Sequence, residues 1–221
     1  MSVAVKAVLF DLDGTLIDSA PDLAGAGNEL RAARGLEPLP YARFRPLVGT
    51  GARGMVKVAL DVDPGHPQFI ELRDEFLARY EARMTTETAL FTAMRPVLDA
   101  LRARGLPWGI VTNKAQRFTT PLVRALGLDR EAATVVSGDT TPHSKPHPAP
   151  LLEAARQMNL APEFCVYVGD DHRDVLAGRA AGMRTVAASW GYLGAGEAIG
   201  DWGADHVIDL PEQLLKLPGM A

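Results

Sequence analysis

Ten residues into the chain an apolar run, Val8-Leu9-Phe10, ends in Asp11-Leu12-Asp13-Gly14-Thr15. Two carboxylates one residue apart normally point to opposite sides of a strand. A glycine directly after them lets the chain leave the strand in a tight turn, so both can face one pocket at the strand's C-terminal end. Carboxylates gathered this way repel one another unless a cation sits among them. An all-oxygen donor set with exchangeable waters suits Mg²⁺. A carboxylate beside that ion can attack phosphorus while its neighbour carries the proton. The chemistry these residues suit is phosphoryl transfer through a phosphorylated aspartate.

Three further strand-like runs end in groups of the matching kind. Gly109-Ile110-Val111 is followed by Thr112-Asn113-Lys114, where a hydroxyl and the N–H groups of a helix start can cradle phosphate oxygens. Val136 leads into a loop holding Ser144-Lys145-Pro146, and Lys145 offers a point positive charge to a phosphoryl group. Val168 leads into Gly169-Asp170-Asp171-His172-Arg173-Asp174, in which Asp170 and Asp174 fall one helical turn apart on one face. Taken singly, each has an ordinary structural use: Thr112 as a helix cap, Lys145 as a solvated charge, Asp171 as a complement to the helix dipole. Taken together, in order along one chain, they supply a nucleophile, a phosphate clamp and a metal site.

Such groups need a scaffold that gathers strand ends. Short β-branched or apolar runs at residues 5–10, 108–112, 134–136, 164–168 and 185–188 alternate with segments of helical period, such as Val97, Leu98, Leu101 and Leu106. That alternation predicts an α/β fold with a parallel sheet and right-handed crossovers. Residues 205–208 read as a late edge strand and 211–217 as a closing helix. From about Asp18 to Met84 the rhythm breaks, and helical stripes such as Phe69, Leu72, Phe76, Tyr80 and Met84 replace it. An all-helical insertion directly after the first strand, returning to the sheet near Phe91, belongs above the strand ends as a lid.

Composition narrows the partners. With 221 residues, 47% of them hydrophobic, the chain can build one core and a small appended domain. A net charge of -4 argues against nucleic acid or a membrane surface as the main partner. No apolar stretch is long enough to cross a bilayer, and Lys6 interrupts the N-terminal run where a signal peptide would keep its apolar core. The single cysteine, Cys165, excludes an internal disulfide framework and reads as a buried small hydrophobe. A soluble cytoplasmic protein is expected.

The four strings at Asp11–Thr15, Val111-Thr112-Asn113, Lys145-Pro146 and Gly169–Asp174 resemble, in order, the four motifs of the haloacid dehalogenase superfamily. The resemblance spans essentially the whole chain. It implies a Rossmann-like core, residues 1–17 and 90–221, with a helical cap, residues 18–89, that governs substrate choice. Within the superfamily the chain resembles the phosphoglycolate phosphatase group in residues 8–21, 106–114 and 145–152. It is at least as similar to the N-acetylmuramic acid 6-phosphate phosphatases, in Gly51-Ala52-Arg53-Gly54-Met55-Val56, Gly169-Asp170-Asp171 and Trp202-Gly203-Ala204-Asp205. Phosphoglycolate phosphatases tend to carry Ser where Asp171 stands and no Arg where Arg53 stands, a departure that bears on substrate and not on reaction class.

The resemblance implies roles residue by residue. Asp11 is the nucleophile and a Mg²⁺ ligand, Asp13 the general acid and then base, its backbone carbonyl also on the metal, and Asp170 the remaining protein ligand. Asp174 holds Lys145 or a metal-bound water, and Asp171 shares that supporting position. Thr112, the Asn113 amide and Lys145 neutralise the phosphoryl oxygens. In the cap, Gly51 lies in a flexible glycine loop and Arg53 can fork onto a substrate carboxylate, which glycolate and muramic acid both carry. The implied partner is a small phosphate monoester, and the implied assembly a monomer or homodimer.

Three rivals use related residues. A dehalogenase needs no acid at Asp13. A phosphomutase keeps all four motifs but re-docks its cap on a bis-phosphorylated intermediate. A receiver module gathers Asp, Thr and Lys at strand ends without a helical insertion and without Asp-x-Asp-Gly-Thr. The residues favour a hydrolase.

Overall fold

The strand runs carry almost no polar residue, as strands covered on both faces require. The computed structural model describes residues 4–194 and 196–220. Its elements run β1 (Ala7–Phe10), β2 (Ile17–Asp18), α1 (Ala20–Ala32), α2 (Tyr41–Phe44), α3 (Gly51–Leu60), α4 (Phe69–Arg83), β3 (Ala89–Leu90), α5 (Met94–Ala103), β4 (Trp108–Val111), α6 (Gln116–Ala125), β5 (Val135–Val136), α7 (Ala149–Gln157), β6 (Cys165–Gly169), α8 (His172–Ala180), β7 (Arg184–Ala188) and β8 (His206–Ile208).

Six strands form one parallel sheet in the order β5-β4-β1-β6-β7-β8. The fold is therefore α/β with a parallel-sheet core. Chain order reverses at β1: the next two strands lie on one side of it and the last three on the other. The loops leaving β1, β4 and β6 diverge there and open a crevice, the ligand site of such sheets. Register sets their height. Phe10 is level with Ile110 on one side and Val168 on the other, so Asp11, Thr112 and Asp170 all lie just past the same edge. The Asp11 N–H donates to Val168 O at 2.8 Å and holds that edge together.

Helices cover the sheet with their apolar faces. α5 turns Met94, Val97, Leu98 and Leu101 inward, and α6 does so with Phe118, Leu122 and Val123. The final segment, Pro211–Lys216, is a 3₁₀ helix and not an α-helix. Prolines at 211 and 218 leave six residues between them, a length at which the tighter i→i+3 turn is usual. Cys165 is buried, and burial with the nearby Glu163 pushes its thiol up to about 11.

Helices α1 to α4 lie between β2 and β3, which pair with each other as a short antiparallel ribbon, Ile17 with Leu90 and Asp18 with Ala89. Two residues per strand are too few to leave a period in the sequence, which is why the ribbon was not foreseen. The stripe Phe69, Leu72, Phe76 and Tyr80 faces inward on α4, against Phe44, Met55 and Val56 of neighbouring helices. Leu12, Leu16 and Ile17 join this cluster to the apolar side of the sheet. Among the described residues no helix is long and apolar enough to cross a membrane.

Candidate active site

A cavity of about 350 Å³ lies between the sheet's C-terminal edge and the helical block, and β1 delivers Asp11 and Asp13 to it. The turn between them and α1 depends on Gly14, whose φ is +89°. A Cβ there would be strained and would also lie 2.2 Å from Asp170 Oδ2, so glycine is required both by backbone and by space. Asp13 Oδ1 accepts a hydrogen bond from Ser19 Oγ and lies 3.1 Å from Lys114 Nζ. Burial presses the Lys114 ammonium down, but Asp13 and Tyr80 outweigh it and raise the group above its ordinary range.

Lys145 is buried, not solvated. Its three protons go to Val111 O at 3.0 Å, Tyr167 Oη at 2.7 Å and Asp174 Oδ1 at 2.8 Å. Asp11 Oδ1 also lies 2.8 Å from Nζ as an ion pair, yet it is buried without a hydrogen bond of acceptable geometry. The Asn113 side chain clasps the same loop, donating to Lys145 O and accepting from Lys145 N–H, both at 2.9 Å. Asn113 itself lines the cavity. Thr112 Oγ1 accepts from Lys114 N–H at 3.1 Å, and its own proton is free to point at a phosphate oxygen.

Asp170 completes the acidic group. Its Oδ1 accepts from Thr15 Oγ1 and its Oδ2 from Tyr192 N–H, both at 2.8 Å. Asp11, Asp170 and Asp174 each present an oxygen, all within 4.8 Å of one another. Burial raises Asp11 to about 7, with Lys145 pulling it down and Asp174 pushing it up. Burial and then the charges of Asp11 and Asp174 drive Asp170 well above the carboxylate range. An oxygen-only donor set with one buried oxygen unserved fits Mg²⁺.

The two remaining acids have protein partners. Asp174 uses Oδ1 on Lys145 and Oδ2 on the Asp171 N–H at 3.1 Å. Asp171 caps α8 through the Arg173 N–H at 2.8 Å and is forked by Arg173 Nε at 2.7 Å and Nη2 at 2.8 Å. Burial opposes its ionisation, but Arg173 more than offsets that and lowers it.

The helical block contributes residues 48–52 to the cavity wall, Gly51 among them at φ +65°. Arg53 stands outside that wall and is exposed. The reason is helical rotation of about 100° per residue: Met55, Val56 and Ala59 take the buried face of α3, and Arg53 falls on the other. The cations that line the cavity are Lys114, Lys145 and Arg173. Sequence reasoning quoted Lys114 within its motif without assigning it work, and read Tyr80 only as core. Thr15 and Tyr167 fall within the motif and strand runs without an assigned role, and Tyr192 falls in none of them. Tyr192 stands 22 residues beyond Asp170 in a loop with no local pattern, whereas Lys114, two residues after Thr112, was within reach of the motif.

Fold and site together define an α/β enzyme with paired acids, a hydroxyl and a lysine at adjacent strand ends. The chain belongs to the haloacid dehalogenase-like hydrolase family, whose family model matches residues 5–182. It is 46% identical over 211 residues to a phosphoglycolate phosphatase of Xanthomonas campestris, covering 95% of this chain and 94% of that protein. It is 40% identical over 213 residues to an N-acetylmuramic acid 6-phosphate phosphatase of Pseudomonas aeruginosa, covering 96% and 94%. A crystal structure from Haemophilus somnus, of a protein described as a predicted phosphoglycolate phosphatase, superposes with a TM-score of 0.85 at 28% identity, covering 98% of this chain and 99% of the other.

Proposed function

We propose that this enzyme is a Mg²⁺-dependent phosphomonoester hydrolase acting through a phosphorylated Asp11. The observation that carries the reading is Asp11 itself: a carboxylate with a buried Oδ1 that lies 2.8 Å from the Lys145 ammonium, two residues before a second acid that faces the same cavity. Asp11 attacks phosphorus, the bond from phosphorus to the ester oxygen breaks, and Asp13 gives its proton to the leaving alcohol. Asp13 then takes a proton from water as that water attacks the phosphorus on Asp11, which releases phosphate and restores the free carboxylate. The Thr112 hydroxyl, the Asn113 N–H and the Lys145 ammonium carry charge on the equatorial oxygens throughout.

Asp11, Asp170 and the Asp13 carbonyl are the groups that would hold Mg²⁺, which supplies charge neutralisation at the phosphoryl oxygens. Asp174 supports them by fixing Lys145. Residues 18–89 act as the cap on a core of residues 1–17 and 90–221, excluding water and selecting the alcohol part of the substrate. The relatives' names point to 2-phosphoglycolate or N-acetylmuramic acid 6-phosphate. Free Cys165 and the metabolite substrate fit a cytoplasmic setting.

Phosphate release with Mg²⁺ from these two esters, side by side, tests the reading. An advantage in kcat/KM of about a hundredfold, roughly 2.7 kcal/mol of transition-state discrimination, names the substrate. No release from either ester, or from p-nitrophenyl phosphate, overturns the hydrolase assignment.

A further inference from the structure

Lys114 joins two parts of the molecule that the chemistry must bring together. Its side chain is 9% exposed and reaches Asp13 Oδ1 at 3.1 Å, on the loop leaving β1. It donates to Tyr80 Oη at 2.7 Å, on α4 of the helical block, and lies 4.6 Å from the centre of that ring. Tyr80 is firmly seated, buried with its ring 5.5 Å from that of Phe118. On the other side of Asp13, Ser19 Oγ donates to the same Oδ1. Both contacts use Oδ1, so Oδ2 is the oxygen left to exchange a proton in the cavity. The direction of a nearly buried ammonium is set by its few partners, here one carboxylate and one phenol.

We propose that Lys114 is a positioning residue for the proton-transferring carboxylate of Asp13, and that Tyr80 makes this positioning depend on α4 being seated over the cavity. The inference rests on Asp13 acting as acid and base, as proposed above. With α4 in place, Lys114 is held between phenol and carboxylate and turns Asp13 toward the substrate. With α4 displaced, the ammonium loses one of its two partners and its hold on Asp13 slackens, leaving Ser19 as the fixed contact on that carboxylate. Proton delivery is thereby confined to the covered cavity, where the leaving oxygen is shielded from water.

Leaving groups distinguish this role from phosphate binding or packing. An alkyl phosphate releases an alkoxide that needs a proton, whereas p-nitrophenyl phosphate releases a stable anion that scarcely does. Because kcat/KM ends at the first irreversible step, loss of the alcohol, it isolates that demand. The probes are p-nitrophenyl phosphate and whichever of 2-phosphoglycolate and N-acetylmuramic acid 6-phosphate the wild type hydrolyses faster. Lys114→Met is expected to lower kcat/KM about a hundredfold on the alkyl ester and about threefold or less on the aryl ester. Tyr80→Phe keeps the ring and its packing on Phe118 and removes only the hydroxyl. It is expected to lower the alkyl value about tenfold and leave the aryl value unchanged. Equal losses on both esters, or an unchanged alkyl value, overturn the proposal. Tyr80→Phe keeps the test decisive where Lys114→Met fails to fold. A wild type inactive on both classes overturns the hydrolase reading itself, and this inference with it.

Discussion

Tyr167 Oη lies 2.7 Å from Lys145 Nζ beneath the cavity floor, and the phenol accepts one of the ammonium's three protons. The same oxygen is 2.9 Å from Val111 O and 3.1 Å from Asp174 Oδ1, with a single proton to give. Burial, then the charge of Asp174, push the phenol well above its ordinary value, so it stays neutral and serves as a fixed dipole under the lysine. Tyr167→Phe is expected to leave the fold intact at a cost of about 1–2 kcal/mol. It should lower kcat/KM by about tenfold on alkyl and aryl phosphates alike, because the phosphate clamp is disturbed and proton transfer is not. Thermal unfolding and steady-state kinetics check both parts; an unchanged rate would mean that Asp174 and Val111 suffice to place Lys145.

Asp11→Asn keeps the shape of the side chain and removes the nucleophile. Turnover is expected to fall below about a hundredth of wild type, with substrate still bound. The variant also removes one member of a crowded acidic group, so in the absence of metal its melting temperature should rise, not fall. Residual activity above about a hundredth, with no contaminating phosphatase, would sink Asp11 as the nucleophile.

The raised Asp11 gives a pH dependence whose sign can be worked out. Its folded value, about 7, stands above the ordinary 3.8, so between those limits the folded protein keeps a proton that the unfolded chain has released. The unfolded state then binds fewer protons, and stability of the metal-free protein falls as pH rises through that window. Asp170, also raised well above the carboxylate range, chiefly by burial, adds a fall of the same sign. Melting temperature in a chelator is therefore expected to decline from about pH 4 to about pH 7, and less steeply in Asp11→Asn. Added Mg²⁺ should flatten the decline and release protons on binding near neutral pH, which calorimetry in buffers of different ionisation enthalpy measures. A melting temperature that rises across this range in chelator would contradict the assignment.

Much of this was legible because the chemistry sits at strand ends. Val8-Leu9-Phe10 and Val166-Tyr167-Val168 are apolar enough to declare buried strands, and the polar residues right after them, Asp11 and Asp170, have to emerge at one edge. The helical block was legible from the stripe on α4. What stayed hidden was of two kinds. Contacts across the fold, such as Tyr192 N–H on Asp170 or Tyr167 under Lys145, leave no local pattern, since a buried tyrosine in a strand looks like any other apolar residue. The Ile17–Asp18 ribbon was too short to show a period, and the face of α3 that meets the cavity depended on a rotation the loop before it sets.

That rotation separates two arginines. Arg53 is exposed on α3, while Arg173 lines the cavity and donates through Nη2 to Gly49 O at 2.5 Å, tying the glycine loop to α8. With its guanidinium forked on Asp171, Arg173 has no second pair of N–H groups arranged for a substrate carboxylate, and its work is to seat the loop. Arg53→Ala is therefore expected to leave KM within about twofold on every ester, as surface changes usually do. Arg173→Ala frees residues 49–51 and strips Asp171 of its partner. KM should rise about tenfold on carboxylated esters and on p-nitrophenyl phosphate alike, with a smaller effect on kcat. Measuring both variants on both classes of ester decides the matter. A KM rise in Arg53→Ala confined to carboxylated esters would put that guanidinium on the substrate, with the helical block moving to bring it there.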